Sequence, residues 1–426
     1  MLDLQFIRDN PDVVRRAIQQ KGSEDVSVVS SILDADEKHR AAVTELQDVR
    51  QRANEESKRI GQLMRDGDKD GAEAAKAESG SLKKRAQDLE EITRETEAIL
   101  GILQLVVPNI PHLSVPIGRT PEENKIVFTH GELTEFEFEP LPHWELLGKH
   151  ELADFDRGSK VAGAGFPFYV GKGARLQRAL VNFFLDVAVE DGGYTEMQTP
   201  LVVNAASATG TGQLPDKEDM MYEVPRDGLY LIPTAEVPAT NFLRDEIIPE
   251  SDLPLKYCAY TPCFRREAGS YGKDVRGLNR IHQFDKVELV HFVHPDESYE
   301  ALESLREDAE SLLKMLELPY RRLLMCTGDM GFTQSKKYDL EVWSAGQKRW
   351  LEVSSISNYE SFQARRMKIR YRPEDGNKPR ILHTVNGSGL AVPRVVAAIL
   401  ENNQNADTSI SIPDVLRPYT GFDSIG

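Results

Sequence analysis

A seven-residue repeat of apolar side chains in the first hundred positions limits the possible folds of this chain more than any other feature. The first run covers residues 32–63, and eight of its ten repeat positions are apolar. The segment 66–71, rich in glycine and aspartate, then favours a turn. Two heptad-patterned helices joined by a turn pack as an antiparallel coiled coil, so a hairpin of about 45 Å is predicted. The second run places on its seam Ala75, Leu82, Ala86, Leu89, Ile92, Thr96, Ile99 and Leu103.

The turn end of this predicted hairpin is basic. Residues 58–85 contain eight lysines and arginines against five acidic residues, a local charge of +3, whereas the whole chain of 426 residues carries −17. Long solvated helices commonly carry charges of both signs, and a coiled coil can serve for dimerisation alone. The contrast in sign indicates instead that this end could bind RNA phosphates.

The composition excludes several other classes of protein. A net charge of −17 argues against general binding to nucleic acid or to a membrane surface, so any polyanion that binds must meet a local basic patch. The three cysteines form no CxxC pair, which argues against a disulfide framework and a four-cysteine zinc site. No run of about 18 apolar residues is present, and the N-terminus lacks the apolar core of a signal peptide. The sequence therefore predicts a soluble, reduced, cytoplasmic protein with no membrane or DNA partner.

The remainder of the chain reads as an α+β domain. Repeated prolines in residues 104–172 predict a linker followed by irregular structure, and residues 174–191 have apolar side chains at helical spacing. Long loops separate the later β-rich runs, so an antiparallel sheet flanked by helices is favoured over a doubly wound one. The β-rich runs are residues 259–264, 283–292, 340–343 and 350–354.

The familiar phosphate-binding loops are absent from the sequence. Three glycine-rich segments, residues 163–168, 170–175 and 210–215, match neither GxGxxG nor GxxxxGK[ST]. If the protein binds a nucleotide, we therefore expect side-chain cations on a sheet to hold the phosphates.

One candidate for such a site is residues 263–292, where two strand-like runs flank a loop of glycines and charged residues. Alternation along a strand puts Arg265 and Glu267 on one face, and Phe284 and Glu288 also share a face. An arginine can grip a phosphate with two hydrogen bonds, and an aromatic ring can stack on a base. The alternative is an ordinary surface ion pair between Arg265 and Glu267.

Two further segments add candidate ligands. Glu352 and Ser354 alternate on a predicted strand with Ser355 beside them, and a carboxylate with a nearby hydroxyl suits Mg²⁺. A lone strand glutamate can equally be solvated. Residues 383–404 predict a strand, a glycine turn and a helix with a proline in its first turn, which is also a common connection without function. Asn386 and Ser388 would lie at this turn.

Taken in order, these segments resemble class II aminoacyl-tRNA synthetases. The long helix and strand ending at Pro200 resemble the first signature of that family, and Phe264-Arg265-Arg266-Glu267 with the following strand resembles the second. Residues 387–394, GSGLAVPR, resemble the third. The N-terminal hairpin and residues 233–236, PTAE, are features of the serine-specific branch. The resemblance covers essentially the whole chain.

This resemblance implies a reaction and a domain organisation. ATP and L-serine would form seryl-adenylate and pyrophosphate with Mg²⁺, and serine would pass to the 3′ end of tRNA-Ser, with tRNA-Sec as a further expected substrate. Residues 1–105 would form a tRNA-binding helical arm and residues 106–426 the catalytic domain. The helix of the first signature would form the interface of a homodimer.

The resemblance also implies roles for individual residues. The catalytic residues would be Arg265, Glu352 and Arg394, and the metal ligands would be Glu352 and Ser355. ATP would bind Arg265, Arg266, Glu267, Phe284, Glu352, Val353, Ser354, Ser355 and Arg394. Serine would bind Thr234, Ala235, Glu236, Arg265, Glu288, Asn386 and Ser388. The tRNA would contact Lys58, Arg59, Arg65 and Lys76 of the arm and Lys273, Arg276 and Arg280 of the loop in the second signature.

Two alternatives of other classes stay open at this point. A synthetase-like enzyme could load an amino acid onto a carrier protein, but such relatives usually lack the hairpin. A non-catalytic paralogue could act as a binding module, but it would be expected to lack Arg265, Glu352 or Arg394.

Overall fold

The computed structural model describes residues 1–267 and 276–426. The chain divides into two compact units. One, the helical unit, comprises residues 2–19 and 23–108, and the other, the sheet unit, comprises residues 1, 20–22 and 109–426.

The helical unit contains the predicted antiparallel hairpin. Two short helices, α1 (Leu4–Asp9) and α2 (Pro11–Gln20), precede α3 (Ser27–Asp66) and α4 (Lys69–Leu105). The turn is shorter than predicted, because residues 69–71 already belong to α4. Gly67 ends α3 in the left-handed conformation with φ of 81°, and the Asp68 carboxylate accepts a hydrogen bond from the backbone N–H of Gly71 at 2.9 Å.

The seam of the hairpin differs from the prediction near the end of α4. Ile92 and Ile99 were predicted to be on the seam, but they are 39% and 48% exposed. The buried positions follow alternating steps of four and three residues, which bring Thr96 and Leu100 inward after Leu89. The prediction was wrong here because it placed the larger apolar side chains on the seam. That choice needs two successive steps of three residues, whereas a regular seam alternates steps of three and four.

The sheet unit combines several helices with strands of unequal length. The helices are α5 (His143–Lys149), α6 (Phe155–Ala162), α7 (Gly171–Glu190), α8 (Ala205–Thr211), α9 (Glu236–Thr240), α10 (Ser298–Met315), α11 (Ser361–Met367), α12 (Val392–Asn402) and α13 (Arg417–Thr420). The strands are β1 (Lys125–His130), β2 (Ala153–Asp154), β3 (Phe168–Tyr169), β4 (Thr195–Glu196), β5 (Val202–Asn204), β6 (Glu223–Val224), β7 (Leu229–Leu231), β8 (Ile247–Pro249), β9 (Leu255–Phe264), β10 (Gln283–Val293), β11 (Tyr320–Leu324), β12 (Lys336–Ser344), β13 (Arg349–Glu360), β14 (Arg370–Arg372), β15 (Arg380–Ile381), β16 (His383–Ala391), β17 (Ile410–Ser411) and β18 (Ser424–Ile425).

Eight strands form the main sheet in the order β1-β11-β12-β13-β16-β10-β9-β4. Every neighbouring pair in this sheet is antiparallel except β4 with β9. The predicted α+β class with an antiparallel sheet is therefore confirmed. Residues 104–172 are more regular than predicted, because they contain β1, α5, β2, α6 and β3.

Alternation along the central strands gives the sheet two faces of different character. Val287 and Leu289 of β10 belong to the main core together with side chains of α7, α10 and α12, such as Phe184, Leu305 and Ile399. The intervening side chains of the same strands point to the opposite face. The core helices thus cover one side of the sheet. The opposite side carries Val290 and Phe292, which belong to a smaller core cluster, and polar side chains such as Lys286 and Glu288, which are available for a binding site.

The glycine-rich segment near the end of β16 is not the turn that the sequence predicted. The strand continues from His383 through the glycines to Ala391, and α12 begins at the next residue. A side chain at Gly387 would place its Cβ 2.8 Å from Ile356 and Leu305 atoms. These glycines therefore serve close packing of β16 against β13 and α10.

No helix in the described part of the chain combines the length and the apolar character needed to cross a membrane.

Candidate active site

A cavity of about 520 Å³ lies on the side of the main sheet that faces away from the main core. It collects most of the predicted ATP and serine ligands from distant parts of the sequence. Those in its wall are Thr234, Glu236, Arg265, Glu267, Phe284, Glu288, Glu352, Val353, Ser354, Ser355, Asn386, Ser388 and Arg394. Ala235 is buried just before α9 and Arg266 is exposed, and neither belongs to this wall.

Arg265 lies where β9 ends and the chain turns away from the sheet. Its backbone N–H donates to the carbonyl of His282 at 2.9 Å, and its Nε donates to the carbonyl of Pro233 at 3.1 Å. The guanidinium carbon is 5.1 Å from the centre of the Phe284 ring. These contacts hold a cation beside an aromatic face, and the remaining guanidinium donors can bind an anion.

Glu267 pairs with Arg280 and not with Arg265, which was the alternative left open by the sequence. Arg280 donates from Nη1 to Glu267 Oε2 at 2.8 Å. The backbone of Glu267 has a φ of 48°, outside the extended region, and β9 has already ended at Phe264, so Glu267 is not part of the strand. The alternative of a surface pair between Arg265 and Glu267 is therefore wrong.

Cations surround Glu352 in the wall of the cavity. Desolvation by the surrounding protein opposes ionisation of this carboxyl, but the positive charges of Lys337, Arg394, Arg265 and Lys286 hold its pKa below its ordinary value. The guanidinium Nη1 of Arg394 donates to the carbonyl of Glu352 at 2.6 Å and lies 3.8 Å from its carboxylate. The side chain of Glu352 is 46% exposed, so the ionised carboxylate is accessible from the cavity.

Asp339 was missed by the sequence reasoning and lies beside the predicted metal ligands. It is the antiparallel partner of Ser355 across β12 and β13. Burial raises the pKa of Asp339 to about 7, the nearby Lys337 opposes this rise, and Glu352 adds to it. Its Oδ1 is buried without a hydrogen-bond partner. A sequence signal could not have identified Asp339, because the strand register is needed to bring it to Ser355.

A compact polar cluster forms the inner end of the cavity. The Thr234 hydroxyl donates to Glu288 Oε2 at 3.1 Å, and Lys286 donates from Nζ to the Thr234 oxygen at 2.8 Å and forms an ion pair with Glu288. Burial raises the pKa of Glu288, and Lys286 partly offsets this effect. Lys286 was also missed, although it shares a strand face with Phe284 and Glu288.

Two more groups complete this inner end. Gln363 donates to Glu236 Oε1 at 2.7 Å and fixes that carboxylate. The Tyr359 hydroxyl donates to Asn386 Oδ1 at 3.2 Å, whereas Asn386 Nδ2 is buried without a partner. The inner end therefore offers carboxylates and an amide with hydrogen-bonding capacity for a small polar molecule.

The residues predicted to contact tRNA belong to both compact units. Arg280 lines the cavity through its contact with Glu267, and Arg276 is exposed. Lys273 lies outside the described residues. In the hairpin, four predicted tRNA contacts are exposed on α3 and α4, namely Lys58, Arg59, Arg65 and Lys76.

Comparison with known proteins first defines the class. The model of the tRNA synthetase class II core domain (G, H, P, S and T) matches residues 222–403, which contain most of the cavity wall. The model of the seryl-tRNA synthetase N-terminal domain matches residues 1–111, which contain the hairpin. The architecture is therefore that of a class II aminoacyl-tRNA synthetase.

Individual relatives then define the branch. The serine–tRNA ligase of Salinibacter ruber is 62% identical over 426 residues, which cover 100% of this chain and 99% of the relative. The serine–tRNA ligase of Thermoanaerobacter pseudethanolicus is 50% identical over 425 residues, which cover 100% of this chain and 100% of the relative. Among solved structures, the seryl-tRNA synthetase from Pyrococcus horikoshii complexed with ATP has a TM-score of 0.95 at 36% identity, covering 100% of this chain and 99% of that one. The cytoplasmic serine–tRNA ligase from Naegleria fowleri in complex with AMP has a TM-score of 0.88 at 26% identity, covering 100% and 98%.

The chain belongs to the seryl-tRNA synthetase family. Its activity is the ATP-dependent ligation of serine to tRNA, as the resemblance in the sequence implied. Neither the carrier-protein reading nor the non-catalytic reading receives support from these relatives.

Proposed function

We propose that the cavity holds ATP and L-serine side by side and that Arg265 bridges the serine carboxylate and the α-phosphate. The observation that carries this proposal is the convergence of Arg265, Lys286, Lys337 and Arg394 on one cavity of about 520 Å³ in an acidic chain. Both reactants are anionic where they react, so a local excess of cations at that point is the feature the reaction needs most.

The reaction requires positioning and neutralisation of charge rather than a protein nucleophile. A serine carboxylate oxygen attacks the α-phosphorus, a new O–P bond forms, and pyrophosphate leaves with the electrons of the broken P–O bond. Arg265 would hold both anions at reacting distance, and this contribution is large when the groups are held in line. The base of ATP would lie between the Phe284 ring and Arg394, with Glu267 at its edge.

The inner cluster would select serine. The carboxylates of Glu236 and Glu288 can bind the serine ammonium, and hydrogen-bonding groups of Thr234, Asn386 and Ser388 can pair with its hydroxyl. An amino acid without this hydroxyl would leave buried polar groups unpaired, which supports rejection of alanine. Ala235 and Arg266 lie outside the cavity wall, so the geometry gives no support to side-chain contacts from these two residues.

Mg²⁺ is the metal that the residues near Glu352 fit best. The oxygen atoms available there come from Glu352, Ser355 and the orphaned carboxylate atom of Asp339, and Mg²⁺ prefers few protein oxygens together with phosphates. When bound, the ion would offset the charge of the phosphates. We expect serine-dependent pyrophosphate exchange to stop in EDTA and to return with added Mg²⁺.

We propose that residues 1–105 act as the tRNA-binding arm and residues 106–426 as the catalytic domain. The exposed cations Lys58, Arg59, Arg65 and Lys76 support binding of RNA phosphates. Lys273, Arg276 and Arg280 are proposed to meet the acceptor end of tRNA-Ser. An arm that recognises the shape of the RNA more than its sequence would also bind tRNA-Sec. Aminoacylation of a tRNA-Sec transcript tests this expectation.

We further propose a cytoplasmic homodimer. Tyr260 and side chains of α7 line a second cavity of about 390 Å³, which supports an interface on the first signature helix. Sedimentation at micromolar concentration tests the dimer. Three free cysteines, Cys258, Cys263 and Cys326, fit a reducing compartment, and fractionation of cells tests this localisation.

The direct test of the catalytic proposal is the variant Arg265→Ala. We expect serine-dependent ATP–pyrophosphate exchange to fall by about 10²-fold or more, because a charge-bridging group is lost from the reacting centre. Arg372→Ala is the matched control, since Arg372 is an exposed arginine on β14 outside the cavity wall. Near-normal exchange in Arg265→Ala would refute the bridging role.

A further inference from the structure

Beneath the cavity lies a fully buried pair, His143 and Glu401, that the reaction itself does not use. The two side chains are 0% exposed, and His143 Nδ1 lies 2.7 Å from Glu401 Oε1. His143 is the first residue of α5, whereas Glu401 stands near the end of α12, the helix whose first turn carries Arg394. The pair thus joins α12, the helix that carries Arg394, to α5.

Donor and acceptor roles at His143 follow from its partners. The backbone N–H of Leu278 points at His143 Nε2 at 2.9 Å, and a backbone N–H can only donate. Nε2 must therefore carry a lone pair, and the single ring proton sits on Nδ1, where it is donated to Glu401. The hydrogen bonds thus give the two ring nitrogens separate roles, acceptor at Nε2 and donor at Nδ1.

Glu401 is itself held so that it can orient the ring. Its Oε1 also accepts the backbone N–H of His143 at 2.9 Å, and its Oε2 accepts the backbone N–H of Gly346 at 3.0 Å and the hydroxyl of Ser344. Burial opposes ionisation of Glu401, but hydrogen bonds from His143 and the other donors hold its pKa below the ordinary value. A fixed carboxylate that accepts from one ring nitrogen leaves the other nitrogen directed at Leu278.

The segment that His143 holds is part of the cavity wall. Leu278, Asn279 and Arg280 line the cavity, and the carbonyl of Asn279 accepts a hydrogen bond from Arg394 Nε at 3.2 Å. A second anchor reaches the same segment, because Asn279 Nδ2 donates to Gln347 Oε1 at 2.8 Å. Gln347 in turn donates to Glu401 at 3.0 Å. The network therefore reaches Arg394 through the Asn279 carbonyl and reaches Arg280, the partner of Glu267, through the chain.

Close packing leaves little freedom at this contact. Gly277 has a φ of 61°, and a Cβ at this position would lie 2.3 Å from His143 Nε2. The imidazole thus fits directly against the backbone of the segment. A side chain of different shape at position 143 or 277 would displace Leu278 and Asn279.

We propose that His143, oriented by Glu401, is a positioning residue for the ATP side of the site. By accepting the Leu278 N–H it fixes residues 278–280, which set the Asn279 carbonyl for Arg394 and place Arg280 beside Glu267. This inference rests on the proposed placement of the adenine between Phe284 and Arg394. The serine cluster is held instead by Lys286, Gln363 and Tyr359, so the two substrates should respond differently.

Two substitutions separate the two bonds of the imidazole. His143→Gln places an amide oxygen near the position of Nε2 and can still accept from Leu278. His143→Asn places an amide nitrogen near Nδ1, which retains a donor for Glu401 but leaves the buried Leu278 N–H unpaired. In pyrophosphate exchange, we expect the KM for ATP to rise about tenfold or more in His143→Asn and less than threefold in His143→Gln. The KM for serine should stay within twofold in both variants.

Other outcomes would overturn the proposal. Equal effects of the two variants on ATP, or equal effects on ATP and serine, would mean that the pair only stabilises the fold. If either His143 variant is not folded, Gln347→Ala replaces it, because this partly exposed side chain reaches the same segment through Asn279. The same selective rise in the KM for ATP is then expected, and its absence contradicts the proposal. Failure of the wild-type enzyme to show serine-dependent exchange would instead contradict the proposed function.

Discussion

Lys286 shows how a single residue can decide the charge state of the amino-acid pocket. It is 6% exposed and contacts both Thr234 and Glu288, and Glu288 is 2% exposed. The neighbouring carboxylate of Glu236 also raises the pKa of Glu288. The lysine acts in the opposite direction and favours the ionised form of Glu288, which can bind the serine ammonium.

Replacement of Lys286 is predicted to change the KM for serine in a way that depends on pH. In Lys286→Met the pKa of Glu288 rises further, because burial is no longer offset, and the carboxyl takes up a proton. We expect the KM for serine at pH 7 to rise about tenfold or more and to recover partly as the pH is raised to about 9. Measurement of the KM for serine across this pH range checks the result.

A matched lysine provides the control for this prediction. Lys336→Met removes a lysine of β12 whose ion pair is with Glu303 at 3.6 Å, outside the cavity wall. Its KM for serine should follow the wild-type pH profile. A pH-independent loss in Lys286→Met would contradict the role assigned to Glu288.

The residues of the site differ in how far the sequence could reveal them. Arg265, Phe284 and Glu288 could be predicted because strand alternation and the class II signatures involve neighbours in the chain. Lys286 shares that alternation, but a strand lysine is usually solvated, so its burial could not be read from the sequence. Asp339 faces Ser355 only through the register of β12 with β13, which no local pattern specifies.

At the scale of elements, the hairpin combines a predictable pattern with a locally wrong seam. Heptad spacing predicted two antiparallel helices, and α3 and α4 are 40 and 37 residues long. Thr96 is buried, whereas Ile99 is exposed, because continuous helical geometry takes precedence over the hydrophobicity of single residues. Likewise, the glycines of β16 were predicted to form a turn, but their small size serves packing within a continuous strand.

The proposed function of the hairpin makes a prediction about two separate half-reactions. Simultaneous replacement of Lys58, Arg59, Arg65 and Lys76 by alanine removes four exposed cations. We expect the KM for tRNA-Ser in aminoacylation to rise about tenfold or more at low salt, because each phosphate contact contributes to binding. Pyrophosphate exchange, which needs no tRNA, serves as the internal control and should remain normal. Unchanged aminoacylation at several salt concentrations would contradict the role of this surface.

At the scale of the whole molecule, buried histidines couple stability of the sheet unit to pH. His291 is 1% exposed, and burial lowers its pKa from 6.5 to about 3. Its Nε2 lies 2.7 Å from the Tyr194 hydroxyl, which donates to Asp308 at 2.7 Å. Burial likewise lowers the pKa of His383 to about 4. Both histidines are neutral in the fold and become protonated when the chain unfolds in mild acid.

This linkage predicts the direction of acid sensitivity. Between pH 6.5 and about 3 the unfolded state binds more protons at His291, so the free energy of unfolding decreases as the pH falls, by up to about 1.4 kcal/mol per pH unit. His291→Gln should reduce this slope, and His130→Gln on the edge strand β1 is the control. All three tryptophans, Trp144, Trp343 and Trp350, belong to the sheet unit, so their fluorescence reports its unfolding. An identical slope in His291→Gln would contradict the assignment.

The central claim is that one cavity activates serine with ATP, and pyrophosphate exchange with each of the twenty amino acids tests it most directly. We predict that serine supports exchange and that alanine, which lacks the hydroxyl, is at least about 10³-fold less effective in kcat/KM. Threonine should also be rejected, by steric exclusion. Exchange that proceeds equally well with alanine, or that no amino acid stimulates, would contradict the account.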